Sequence, residues 1–189
     1  MRQTERDLGV SIDEDLKFSS HAQATVAKCN RILGFIRRSV ASRTSRVMLP
    51  CMRLVRPQLE YCIQFWRPTN KGDLLALEGV QRRATRMIKE VRGLLYEKRL
   101  EVLGLYSLER RLRRGDLIQA FEIIKGIDNV ECGRFFQFDD SKRTRGNRLK
   151  LRKPQVRLRS RQEFFTCRVV NAWNALDDEV VAAPRQDYL

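Results

Sequence analysis

SSHAQATVAKCNRILGFIRRSV, residues 19–40, carries apolar side chains at Ala22, Val26, Cys29, Leu33, Ile36 and Val40, at alternating spacings of four and three. That repeat puts all six on one stripe of an α-helix and leaves Lys28, Arg31, Arg37 and Arg38 on the outer face. Ser19 or Ser20 offers a hydroxyl as N-cap. A helix with so clear a stripe must bury it, so the neighbouring sequence has to supply its partners.

Upstream, Leu8–Ile12 is a short run with a β-branched bias, ended by Asp13-Glu14-Asp15, and reads as a strand and turn. Downstream, Thr44 restarts a helix through Val47, Cys51 and Leu54, and Pro57 predicts a kink or break near Arg56. Helix resumes through Leu59, Cys62 and Phe65 and ends at Trp66–Asn70. Asp73 is expected to cap a helix with Leu77, Val80, Ala84, Met87 or Ile88, and Val91 inward. Its opposite face displays Gln81, Arg82, Arg83, Arg86 and Lys89. A shorter helix spans about Tyr96–Leu103, closed by Gly104. Ser107 then caps a long one through Leu108, Leu112, Leu117, Ile118, Phe121 and Ile124, ended by Gly126.

Five helices with short connections predict a mainly α fold, a compact helical bundle over residues 19–127 preceded by the strand and turn of residues 1–18. After Gly126 the character changes. Arg134–Phe138 is strand-like, and Glu163–Leu176 is helical, anchored by Phe164, Phe165 and Trp173. Residues 128–189 are therefore expected to form a basic, partly irregular or β-ribbon extension ending in a helix.

The extension holds the densest charge. Between Lys142 and Arg161, ten of twenty residues are basic and none is acidic: Lys142, Arg143, Arg145, Arg148, Lys150, Arg152, Lys153, Arg157, Arg159 and Arg161. Such a segment repels itself unless a polyanion screens it, and nucleic-acid backbone is the usual polyanion. Leu149, Leu151, Val156 and Leu158 alternate with basic residues, as in a ribbon with one basic face. The whole chain agrees, with 38 Lys and Arg against 23 acids and a formal charge of +15. Further clusters stand at Arg82, Arg83, Arg86 and Lys89, and at Arg110, Arg111, Arg113 and Arg114. These helical arginines would touch phosphates; the alternative is that they pair with Glu78, Glu90, Glu97, Glu101 and Glu109 on neighbouring turns. Trp66, Tyr96 and Trp173 are expected in the core rather than stacked on bases.

Catalytic constellations are missing from the sequence. The five cysteines are odd in number and have no zinc-ribbon spacing, and Cys29 and Cys62 fall in apolar register. His21, the single histidine, has no ligand-spaced partner, so no metal or cofactor is expected. Phosphate-loop, dinucleotide and serine-hydrolase motifs do not occur. Asp139-Asp140 resembles a polymerase metal pair, but it runs into Ser141-Lys142-Arg143 with no second strand. Met1–Asp7 is polar and no apolar run approaches the roughly 20 residues of a membrane span. An intracellular chain without membrane contact is expected, and Lys150-Leu151-Arg152-Lys153 would suit nuclear import.

Several stretches resemble a known family. Asp7–Asp13 with Leu16, Phe18 and His21 is similar to the segment closing the palm of non-LTR retrotransposon reverse transcriptases. In the family's order follow Leu54–Cys62 with Trp66, Leu77–Thr85, Leu103–Arg111, Arg143–Asn147, and Phe164-Phe165 with Trp173–Leu176. The chain resembles the carboxy-terminal region of a LINE polyprotein of the jockey-like, chicken-repeat class, over Asp7 to about Pro184. Gly79 departs from the pattern where a stronger helix former is usual, weakening its helix by up to about 1 kcal/mol, and Asp177 stands where proline is common. The resemblance implies a thumb-like domain with a basic extension, a non-catalytic remnant of an RNA-directed DNA polymerase that clamps template-primer RNA or DNA. It also leaves two alternatives: polymerase activity in association with the palm of an intact element protein, and a decayed product with no function.

Overall fold

α1 runs from Ser19 to Ser39 and turns its stripe inward, with Ala22, Cys29, Leu33 and Ile36 buried. The protein is mainly α-helical, as its periodicity predicts; the computed structural model describes residues 4–14, 16–139 and 147–184. Neither serine caps α1. Phe18 occupies the N-cap in a left-handed conformation, while Ser19 Oγ donates to Asp73 Oδ2 at 2.6 Å and Ser20 Oγ donates to Asp13. Both hydroxyls are used for tertiary contacts instead.

The first strand is half of a hairpin. β1 (Thr4–Asp7) pairs antiparallel with β2 (Val10–Asp13), Asp7 opposite Val10 and Thr4 opposite Asp13. Leu8 and Gly9 make the turn with φ of 45° and 83°, the positive pair that a two-residue hairpin turn requires. A leucine in the first turn position masks the signal that Asn-Gly would have given.

The region around Pro57 forms three short helices: α2 (Ser45–Met52), α3 (Arg56–Glu60) and α4 (Ile63–Trp66). Pro57 sits in the first turn of α3, where its missing N–H is not needed. Cys62 at φ 53° makes a second break. α5 (Lys71–Arg86) is capped by Asn70, whose side chain accepts from Gly72 N–H at 2.8 Å. Asp73, the expected cap, is buried in the first turn and held by Ser19. Leu77, Val80 and Ala84 face the core as predicted. α5 stops at Arg86, however, and a 3-10 turn (Lys89–Val91) follows. The Arg99 guanidinium reaches back from α6 (Tyr96–Val102) to the last turns of α5, donating to Arg82 O at 3.0 Å and to Thr85 Oγ1 at 3.2 Å.

α7 (Leu108–Ile124) begins under a double cap. Ser107 Oγ accepts from Arg110 N–H at 3.3 Å, and the Glu78 carboxylate accepts from the N–H groups of Leu108 and Glu109 at 3.1 and 3.3 Å. Gly104 and Gly126 adopt φ of 62° and 68° after α6 and α7, the left-handed caps their sequence positions predict.

Two compact units result, Met1–Leu112 and Arg113–Leu189. The division falls inside α7 rather than after Gly126, because Ala120, Phe121 and Ile123 belong to the second core. In the first unit, Trp66, Leu77, Val80 and Ile88 are fully enclosed, each aliphatic one contributing about 1.5–3 kcal/mol by burial. His21 stacks edge-on against Trp66 at 4.5 Å between centroids and accepts from Ser11 N–H through Nδ1 at 3.2 Å.

In the second unit, α9 (Phe165–Asn174) is the organising helix, flanked by α8 (Arg159–Gln162) and α10 (Asp178–Ala182). Among the described residues, the strand expected at Arg134–Phe138 is reduced to a 3-10 turn (Cys132–Arg134) and a single bridge from Phe138 to Leu151. Asn174 does the rest of the pairing: its Oδ1 accepts from Leu151 N–H at 2.9 Å and its Nδ2 donates to Leu151 O at 2.8 Å. Trp173 Nε1 donates to Leu149 O at 2.8 Å and Asn147 Nδ2 to Trp173 O at 3.0 Å. Arg168 forks onto the buried Asp116 at 2.7 and 2.9 Å.

Candidate nucleic-acid interface

Asn30, Leu33, Gly34 and Arg37 stand at i, i+3, i+4 and i+7 on α1, so they share a face. That face meets the end of α5, and together they line a cleft of about 540 Å³ with Arg83, Arg86 and Met87. Arg43, from the loop after α1, and Arg92, after the 3-10 turn, complete it. Five guanidiniums line this cleft without one carboxylate. All five arginines are exposed, while Leu33 is buried and Met87 half-buried beneath them. Arg83 Nε donates to Asn30 Oδ1 at 3.0 Å and Arg43 Nη2 to Arg37 O at 3.3 Å. Lys89 N–H donates to Arg43 O at 2.8 Å and pins the loop.

The closest acidic side chain in sequence, Glu90, serves the backbone: both its oxygens accept from Ser45 N–H, at 3.0 and 3.1 Å, at the start of α2. Its own backbone N–H and that of Ser45 hold its carboxyl below the usual range. Two of the other glutamates expected as arginine partners are engaged elsewhere. Glu78 caps α7, and Glu101 pairs with Lys98 at 2.8 Å. Glu97 meets a candidate arginine, Arg82, at 4.0 Å.

The structure sorts the sequence-predicted residues. Arg83 and Arg86 line the cleft. Arg82 turns elsewhere, over the Tyr96 ring at 4.5 Å. Lys89 is exposed but belongs to the 3-10 turn, not to α5, because the helix ends three residues before it. Arg110 is exposed and lies over the Tyr106 ring at 4.2 Å. Arg111 is not a surface cation. It is buried beside Glu60 at 2.9 Å, outside hydrogen-bonding alignment, and burial pulls its pKa down. Its position on α7 faces the first core next to Leu112, which the local run of arginines hides.

Arg113 and Arg114 are exposed at the start of the second unit. In the basic stretch, Lys142, Arg143 and Arg145 lie outside the described residues, as does Asp140. Arg148 pairs with Asp178 at 3.1 Å, a partner from outside the stretch. Lys150 is half-buried, and Arg152, Lys153, Arg157, Arg159 and Arg161 are exposed. Trp66, Tyr96 and Trp173 are buried and offer no stacking platform. Arg37, Arg43 and Arg92 are the cleft residues outside the predicted clusters. Arg37 has a signal in its spacing from Asn30 and Gly34; Arg43 and Arg92 lie in connections and have none.

Among the described residues no group of three His, Cys, Asp or Glu is placed to hold a metal ion, and no helix is long and apolar enough to cross a membrane. Neither a protein-family model, nor a curated protein, nor a solved structure matches the chain.

Proposed function

We propose that this chain binds nucleic-acid backbone without catalysis, as a thumb-like helical unit and basic extension of the LINE reverse-transcriptase type. The observation that carries the reading is the carboxylate-free cleft of five arginines on α1, α5 and their connections. Like charges held this close repel, and a phosphodiester chain relieves the repulsion while releasing its own counterions. The ordered motifs quoted from the sequence support the family, and the exposed run from Arg152 to Arg161 adds a cationic surface in the second unit. Interactions of this kind hold a duplex in place without reading its bases.

Binding of a labelled RNA/DNA hybrid across a salt series tests the reading, with Arg83→Gln/Arg86→Gln and a deletion of residues 142–161 beside the parent chain. Affinity should fall steeply with salt. Removing one cation that neutralises a phosphate should flatten the log–log slope by about 0.9. A parent chain that fails to bind at low salt, or whose affinity is indifferent to salt, would overturn it.

A further inference from the structure

The arginine cleft is built unlike a surface that only touches a duplex from outside. Its lining includes buried Leu33 and half-buried Met87, and Gly34 lines it beside them. Its volume of about 540 Å³ falls in the ~300–1,000 Å³ range of sites that enclose a small ligand. A glycine in mid-helix lowers stability relative to alanine. No local geometry demands it here: a Cβ at Gly34 would meet only Arg38 Nη1, at an ordinary 3.6 Å.

We infer that the cleft takes one unpaired nucleotide of a single strand, its base on Leu33, Gly34 and Met87 and its two flanking phosphates among Arg37, Arg43, Arg83, Arg86 and Arg92. The inference rests on the nucleic-acid reading above and narrows it. An aromatic base covers an apolar floor and stacks on guanidinium planes, whereas the phosphates answer a rim with no carboxylate. A blunt duplex keeps its bases stacked inside and leaves the floor empty. An acidic peptide would satisfy the rim alone.

The test uses the full chain and fluorescence anisotropy at fixed low salt. The probes are a labelled oligouridylate of about eight nucleotides, its abasic counterpart, a blunt duplex and polyglutamate. Gly34→Leu fills the floor without changing charge, and Gly34→Ala narrows it while favouring the helix. Gly34→Leu should weaken the oligouridylate about tenfold, Gly34→Ala less, and the duplex should change under twofold. The abasic strand should bind the parent chain about tenfold more weakly than the oligouridylate.

Should Gly34→Leu not fold, Gly34→Ala and Arg37→Gln/Arg92→Gln carry the comparison, and both must weaken the single strand more than the duplex. Equal binding of base-bearing and abasic strands, equal loss for duplex and single strand, or polyglutamate binding as tightly as oligouridylate overturns the inference while leaving backbone binding standing. A parent chain that binds no nucleic acid overturns both.

Discussion

Arg83 and Arg111 carry the same group on helices whose sequences look alike, yet one lines an open cleft and the other is buried beside Glu60. Helical phase separates them, since Arg111 precedes the core residue Leu112 on the inward side of α7. His21 shows the same dependence on place. Its Nδ1 accepts from Ser11 N–H, Nε2 lies 3.5 Å from Thr25 Oγ1, and Trp66 covers the ring. Burial and Arg6 hold its pKa below 6.5, while Asp13 opposes them. The unfolded chain therefore takes a proton first as pH falls, so the stability His21 contributes is present above about pH 6.5 and is lost on acidification below it. Chemical denaturation at about pH 7.5 and 5.5 should show a falling midpoint in the parent chain and a smaller fall in His21→Asn, which keeps an acceptor for Ser11 but does not titrate. Identical pH responses would remove His21 as the cause. The sequence shows that His21 lacks ligand partners; that it accepts from a strand amide depends on a hairpin the sequence conceals.

At the scale of elements, long helices are legible and short ones are not. α1 and α7 repeat their apolar positions often enough to declare themselves, and α6 and α7 end at glycines that do what glycines do after helices. α3 and α4 have too few turns for a pattern, and the break between them is a cysteine at positive φ. In the second unit, side chains replace the ribbon that alternation predicts: Asn174 pairs with both backbone groups of Leu151, as a neighbouring strand would. Asn174→Ala would leave those groups unpaired next to a buried side chain, and a loss of about 1–3 kcal/mol is expected from urea unfolding. A loss under about 0.5 kcal/mol would mean that water replaces the amide without penalty. Only half of the candidate site was legible for the same reason. Arg83 and Arg86 lie on a periodic helix, whereas Arg43 and Arg92 join them through connections whose path no periodicity encodes.

For the whole molecule, the proposed backbone binding would draw on a formal charge of +15. A ligand that binds only the folded chain raises its stability by about 2.7 kcal/mol at a hundredfold excess over Kd. Thermal unfolding with an oligonucleotide should therefore shift upward at about 50 mM salt and much less at about 200 mM. A shift that ignores salt would point to binding that is not electrostatic. The place where the two units divide has a different consequence. Because Leu112 and Arg113 are consecutive residues of α7, the division falls within a helix and not in a loop, where proteases cut most readily. Fragments made at that point would each inherit a severed helix end with unpaired amides or carbonyls. A cut after Gly126 keeps the helix whole but strips Ala120, Phe121 and Ile123 of their partners. Whoever trims this chain must choose between a broken helix and a bared apolar flank.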